Sequence, residues 1–97
     1  MIKFSVLTSI YKSGPYLNTY FKTIFSQKVL PSEIILIDDT KNPQNVNEII
    51  DEKKELYNFK NIKLYKNYKN LGPAKSLNTG LKYCSNNLIF RLDVDDE

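Results

Sequence analysis

Three aspartates near the end of the sequence are the residues best suited to chemistry. Asp93, Asp95 and Asp96 directly follow the apolar run Leu88–Leu92. If that run is a β-strand, residues two apart project to the same side, so Asp93 and Asp95 face one site together. Carboxylate oxygens suit Mg²⁺ or Mn²⁺, which take their remaining ligands from water and phosphates. The pattern predicts a divalent-cation site beside a phosphate-bearing ligand, and the alternative is a solvated acidic turn or the start of a helix.

Two other polar segments follow apolar runs earlier in the chain. Asp38 and Asp39 close the run Glu33–Ile37, and a carboxylate there can accept hydrogen bonds from a base or a ribose. Capping of the following turn is an equally good interpretation, because aspartate also favours that role. The segment from Thr8 to Tyr11 offers hydroxyls, backbone amides and a ring that could stack on a base. Its alternative is that Tyr11 packs on the helix that follows.

A third segment brings a glycine turn to the start of a helix. Gly72 and Pro73 precede Lys75 and Asn78, which fall on the first helical turns, where an anionic group can be met. The spacing of a P-loop is absent. Taken alone, the segment is equally well interpreted as an ordinary loop-helix junction.

The elements that must position these residues alternate regularly along the chain. Apolar runs of strand length alternate with stretches of helical period, which predicts the order β-α-β-α-β-α-β. Right-handed crossovers then give a Rossmann-like three-layer α/β/α parallel sheet, in which ligands bind beyond the carboxyl ends of the strands. The predicted strands are Ile2–Thr8, Glu33–Ile37, Ile62–Tyr65 and Leu88–Leu92.

Each predicted helix has an apolar stripe that should face the sheet. The first begins near Pro15 and is broken by Pro31, the second ends near Asn58, and the third begins at Gly72-Pro73. The three stripes are Tyr16, Leu17, Tyr20, Phe21, Ile24 and Phe25; Val46, Ile49, Ile50, Leu56 and Tyr57; and Ala74, Leu77, Leu81 and Cys84.

Composition limits the classes of function. The chain has 97 residues, 41% of them hydrophobic and 26% charged, which fits one globular domain. It has no histidine and one cysteine, Cys84, so histidine chemistry, a zinc site and an intrachain disulfide are excluded. No apolar stretch is long enough to span a membrane, which predicts a cytoplasmic protein. Lysines interleaved with tyrosines around Tyr65 more simply indicate a solvated strand than a nucleic-acid site.

In this order the segments resemble the nucleotide-sugar-binding part of a GT-A glycosyltransferase of family 2, a family of bacterial polysaccharide and O-antigen enzymes. The resemblance spans the chain, although Lys12 and Thr40-Lys41 depart from the usual residues. It rests on Thr8-Ser9-Ile10-Tyr11, Gln27, Glu33-Ile34-Ile35-Leu36-Ile37-Asp38-Asp39, Asn70-Leu71-Gly72, Asn78-Thr79-Gly80 and Asp93-Val94-Asp95-Asp96.

The resemblance implies a role for each matching residue. Asp95, with Asp93 or Asp96, holds Mn²⁺ or Mg²⁺ against the diphosphate of a nucleotide-sugar donor, and Asp93 or Asp96 can also contact the ribose. Asp39 reads the base or ribose edge. The other implied donor contacts are Thr8 and Tyr11 in the base pocket and Lys75 near the nucleotide.

The resemblance also implies an inverting transfer to a saccharide or lipid-linked acceptor, in surface polysaccharide synthesis. Family members continue well beyond the last aspartates, so we expect residues 1–97 to be the donor half of a longer domain that lacks its general base and is inactive alone. The last strand then lies at an exposed edge, which favours self-association. The full-length protein is expected to be peripheral at the inner face of the membrane.

Two alternatives remain open from the sequence. One is a truncated, non-catalytic module that binds a nucleotide and a metal. The other is a phosphatase that uses an Asp-x-Asp nucleophile. That motif normally follows the first strand and carries a threonine where this chain has Glu97, which disfavours the phosphatase.

Overall fold

Seven strands and helices alternate within the described part of the chain, as the apolar pattern predicts. The computed structural model describes residues 3–10, 16–38, 46–67 and 72–92. Its strands are β1 (Ser5–Ile10), β2 (Glu33–Asp38), β3 (Ile62–Lys66) and β4 (Ile89–Arg91). Its helices are α1 (Leu17–Phe25), α2 (Val46–Leu56) and α3 (Pro73–Leu81). No helix within the described residues is long and apolar enough to cross a membrane.

The four strands form one parallel sheet in the order β3-β2-β1-β4. Buried side chains of α1 and α2 pack on one face of this sheet, and Leu77 of α3 packs on the other. This is the predicted three-layer arrangement. In β2, Ile34 and Leu36 point to the first face, whereas Ile35 and Ile37 point to the second. Both faces are covered, which explains why β2 is a continuous aliphatic run.

The α1 stripe is largely confirmed. Four of its six residues are buried, whereas Tyr16 precedes the helix and is exposed. Phe25 is partly buried and stacks on Tyr57 with ring centroids 4.2 Å apart. The helix ends at Phe25, well before Pro31, so proline is not what terminates it.

The stripes of α2 and α3 are only partly as predicted. In α2, Leu56 is 63% exposed, and the stem of Lys53 is buried instead. Buried positions in α3 include Ser76 and Gly80, whereas Ala74 and Leu81 are exposed and Cys84 lies beyond the helix. A Cβ built at Gly80 would lie 2.6 Å from Leu7 Cδ1 and 2.8 Å from Ile37 Cγ1. The helix therefore approaches the sheet through small residues, which an apolar pattern does not reveal.

The sheet edge at β4 carries exposed apolar side chains. The predicted edge position of the last strand is confirmed within the described sheet. Leu88, Phe90 and Leu92 are 46%, 48% and 40% exposed. An apolar cavity of about 230 Å³ lies beside them, lined by residues in or next to β1, β4 and α1: Phe4, Val6, Thr23, Ile24, Gln27, Val29, Pro31, Phe90 and Leu92.

Candidate functional site

The strand order identifies the part of the sheet where a ligand is expected. β1 lies between β2 and β4, and the chain crosses from β1 to β2 by α1 but reaches β4 by α3 on the opposite face. Successive connections therefore diverge on either side of β1. In parallel α/β sheets this switch point opens a crevice beyond the carboxyl ends of the strands. Asp38, Lys66 and the start of α3 lie at this same edge.

Asp38 is held within the sheet at this edge. It is the last residue of β2, is buried, and lies in register between Ile10 of β1 and Lys66 of β3. Its carbonyl oxygen accepts a hydrogen bond from the backbone N–H of Asn67, at 3.0 Å. The end of β2, from which the sequence continues to Asp39, is thus fixed by the neighbouring strands.

Thr8 does not lie on an open surface. β1 continues to Ile10, so Thr8 lies two residues inside the strand, on the same face as Val6 and Ile10. Its side chain is fully buried, and its hydroxyl lies 2.6 Å from the Tyr20 hydroxyl of α1. Burial raises the pKa of Tyr20 well above its ordinary value, although the hydrogen bond with Thr8 opposes this. In the structure the Thr8 side chain is therefore buried and hydrogen-bonded to α1, and its contact with a nucleotide base stays a prediction.

The start of α3 lies at the same edge as Asp38. Gly72 precedes the helix with φ of +84°, a left-handed conformation that favours glycine. Lys75 is exposed on the first turn, whereas the neighbouring Ser76 is fully buried. The Asn67 side-chain amide donates a hydrogen bond to Ser76 Oγ at 2.9 Å. Sequence reasoning missed both Asn67 and Ser76, and the only signal was a serine within a predicted helix.

Most of the residues predicted to touch the donor fall outside the described part of the chain. They are Tyr11, Asp39, Asp93, Asp95 and Asp96. Within residues 3–10, 16–38, 46–67 and 72–92, no group of three or more acidic, cysteine or histidine side chains could hold a metal ion. The metal ligands and the base contacts therefore remain predictions.

A second polar cluster lies at the opposite, amino-terminal edge of the sheet. Glu33 is buried there and accepts hydrogen bonds from the Ser5 hydroxyl and the Ser85 backbone N–H. Burial works to raise the pKa of Glu33, but these hydrogen bonds outweigh it and hold the pKa below its ordinary value. Asn86 also donates to Ser5. The cluster ties β1, β2 and the turn after α3 together, so this motif residue is structural.

The neighbouring thiol belongs to the same edge. Burial and the negative charge of Glu33 both raise the pKa of Cys84, in that order of size. A thiol held in its neutral form is a poor nucleophile. Cys84 also packs against the buried cluster of Leu7, Ile35 and Ile37, although from beyond the end of α3.

Curated relatives resemble the chain over nearly its whole length. It is 38% identical over 96 residues to the UDP-Gal:alpha-D-GlcNAc-diphosphoundecaprenol beta-1,3-galactosyltransferase of Escherichia coli, covering 97% of this chain and 34% of that protein. It is 33% identical over 95 residues to the amylovoran biosynthesis glycosyltransferase AmsE of Erwinia amylovora, covering 96% and 35%. The chain thus spans about a third of the length of the curated relatives it matches.

Solved structures and a family model agree with these relatives. Crystal structures of S. aureus TarS residues 1–349 superpose with TM-scores of 0.80 for one and 0.79 for the complex with UDP, at 28% and 26% identity. They cover 98% and 97% of this chain and 28% of each TarS chain. These neighbours identify the α/β sheet as the GT-A type. Residues 5–97 match the model of glycosyl transferase family 2, and the chain therefore belongs to that family.

Proposed function

We propose that residues 1–97 form the donor-binding part of a glycosyltransferase. The whole protein would transfer a sugar from a nucleotide-diphosphate donor to an acceptor hydroxyl, with metal assistance and inversion of the anomeric centre. One observation carries the proposal: the chain superposes with a TM-score of 0.79 on a TarS structure in complex with UDP. A further TarS structure, with a TM-score of 0.78, holds UDP-GlcNAc.

The electrostatics of the chain suit a diphosphate ligand. Lys75 is exposed on the first turn of α3, at the edge where the strands end. The helix amino terminus adds partial positive charge there. In our proposal Asp39, Thr8 and Tyr11 bind the nucleoside, and Asp95, with Asp93 or Asp96, holds Mn²⁺ or Mg²⁺. Either Asp93 or Asp96 can also contact the ribose.

The roles proposed for the metal ion, for this chain's residues and for the general base follow from the charge that develops during sugar transfer. When the bond from the anomeric carbon to the diphosphate breaks, negative charge grows on the departing phosphate oxygens. A divalent ion supplies Lewis-acid stabilisation of that charge. The chain's residues bind and orient the donor, and deprotonation of the acceptor hydroxyl is assigned to a base outside residues 1–97.

The relatives narrow the substrate class. The E. coli relative is named for a UDP-galactose donor and a diphosphoundecaprenol-linked acceptor, and the Erwinia relative for amylovoran biosynthesis. TarS structures hold UDP and UDP-GlcNAc. We therefore propose a uridine diphosphate sugar as donor and a saccharide or lipid-linked saccharide as acceptor, in bacterial surface polysaccharide synthesis at the inner face of the membrane.

The first experiment titrates the chain with UDP, GDP and dTDP by calorimetry, each with and without Mn²⁺. We expect Mn²⁺-dependent binding of UDP that is lost in Asp95→Asn. Asp51→Asn is the matched control, because Asp51 is an exposed aspartate on α2 and its substitution makes the same charge change. Failure of all three nucleotides to bind a folded sample would refute the proposal, as would equal loss of binding in both variants.

We also propose that the chain self-associates through the β4 edge. Apolar side chains there are 40–48% exposed beside an apolar cavity, and an unprotected strand edge can pair with a second copy. Sedimentation should show an oligomer that Leu88→Lys disrupts. Leu56→Lys on α2 should leave it intact, although Leu56 is even more exposed. A monomeric wild-type chain, or equal effects of both substitutions, would contradict this.

A further inference from the structure

Asn67 joins three secondary-structure elements at the carboxyl edge of the sheet. It follows β3 directly, and its backbone N–H donates to the carbonyl of Asp38 at the end of β2. Its side-chain amide donates to the hydroxyl of Ser76 in α3. One half-buried residue therefore connects β3, β2 and the first turns of α3.

The Ser76 hydroxyl is unusual for its position in the helix. Ser76 is fully buried on the side of α3 that faces the sheet, where an apolar side chain needs no partner. A buried hydroxyl requires a hydrogen-bond partner, because leaving it unsatisfied is unfavourable. Asn67 provides one, and this hydrogen bond holds the first turns of α3 next to the end of β3.

Besides the packing of Leu77, two contacts hold α3 against the sheet, one near each end. Towards its carboxyl end, Gly80 lies against Leu7 and Ile37 and sets how closely the helix approaches. Near its amino end, the bond between Asn67 and Ser76 fixes the first turns. The first contact limits depth alone, whereas the second is directional and also limits sliding along the sheet.

Both anchor points of Asn67 adjoin residues that we assign to the donor. Asp38, whose carbonyl it binds, is followed in the chain by Asp39, and Ser76 is preceded by Lys75. We propose that Asn67 is a positioning residue for donor binding: it sets the separation between the end of β2 and the first turn of α3. This inference rests on the proposed function, since it assumes that a nucleotide diphosphate binds at this edge.

The test measures nucleotide affinity in variants of the full 97-residue chain. UDP with Mn²⁺ is titrated into ¹⁵N-labelled protein, and the dissociation constant is taken from the NMR signals of folded molecules, so that it is separate from the unfolded fraction. We expect Asn67→Ala to weaken UDP binding about threefold to tenfold, the range of one lost hydrogen bond. Ser76→Ala, which keeps nearly the same volume, should have a similar effect. The double variant should be no weaker than either single one.

Asn61→Ala is the matched control. Asn61 immediately precedes β3 as Asn67 follows it, and its side-chain amide also donates one hydrogen bond, to the Ser32 carbonyl at 2.8 Å. That bond lies at the opposite edge of the sheet, so the control should lower stability without changing UDP affinity. A merely structural role for Asn67 would give the same result in both asparagine variants.

The outcomes separate the inference from the proposed function. If the wild-type chain binds no nucleotide, the proposed function fails and the inference fails with it. If the wild type binds UDP and both Asn67→Ala and Ser76→Ala bind equally well while folded, only the positioning role is refuted. Additive losses in the double variant would also refute it, because they would show that the two residues act separately.

Discussion

The contact between α3 and the sheet can be tested at Gly80. A Cβ at this position would lie 2.6 Å from Leu7 Cδ1, 2.8 Å from Ile37 Cγ1 and 3.1 Å from Ile37 Cδ1. Leu7 and Ile37 are both buried. The methyl end of Leu7 can rotate away, but Ile37 Cγ1 lies in the middle of its side chain and moves only if the first side-chain torsion changes. Gly80→Ala should therefore displace a packed side chain or the helix itself.

Two opposing effects determine the size of the change. Replacing a helical glycine by alanine stabilises a helix by about 1 kcal/mol. Forcing an extra methyl group into a packed core costs about 1–3 kcal/mol. Since two of the three contacts are below 3 Å, we take the upper part of that range and expect a net loss of about 1–2 kcal/mol. For a domain of this size, each 1 kcal/mol lowers Tm by about 4–8 °C.

Thermal unfolding followed by circular dichroism measures this change. Asn78→Ala is the control, because Asn78 is exposed on the same helix and gains helix propensity without a packing clash. It should raise Tm slightly. In a Leu7→Val background, which shortens one of the two obstructing side chains, the penalty of Gly80→Ala should become smaller. A higher Tm for Gly80→Ala than for wild type would refute the close approach of α3.

Two further predictions concern the buried polar contacts. Tyr20→Phe leaves the buried Thr8 hydroxyl without this partner and should lower the free energy of unfolding, measured in urea, by about 1–3 kcal/mol. Combining Tyr20→Phe with Thr8→Val removes both hydroxyls and should restore most of that loss. No recovery in the double variant would count against the contact. Because the pKa of Glu33 lies below its ordinary value of 4.5, its stabilising effect is complete above that value and declines as the pH falls through the folded-state pKa. Glu33→Gln should thus be less stable than wild type at pH 7, and the difference should shrink in acid; a constant difference would contradict this.

The sequence predicts the strands and their order along the chain well, and β2 most clearly because its centre is a continuous aliphatic run. In β2, residues Ile34 to Ile37 are buried on both faces of the sheet. Four aliphatic residues in a row do not show the spacing of an amphipathic helix, so the sequence favours a strand there. Strand ends are harder to predict. β1 ends at Ile10 rather than at the predicted Thr8, because Ser9 and Ile10 still pair with β2. No proline or glycine near Thr8 or Ile10 marks the end of the strand in the sequence.

Apolar period predicts the inner face of α3 only in part: Leu77 does pack against the sheet. The same period also selects Ala74 and Leu81, which are exposed, and misses Ser76 and Gly80, which are buried. A helix that approaches a sheet closely needs small residues at the contact, and these contribute nothing to an apolar stripe. The sequence pattern does not predict the contacts of Asn67 either, because they are hydrogen bonds to residues 29 positions before it and 9 after it in the chain.

The two edges of the sheet explain why family motifs mark residues with different roles. Glu33 belongs to the same matching segment as Asp39, yet the strand between them places Glu33 at the amino edge. There it binds Ser5 and Ser85. Ligands of parallel sheets bind at the carboxyl edge, so a change at Glu33 can affect a donor only through the stability of the fold. At the carboxyl edge Asn67 fixes two segments that lead to proposed donor contacts, so a change there should affect binding even when the fold is intact. We therefore expect position along a strand, more than membership of a motif, to separate structural residues from those that contact the donor.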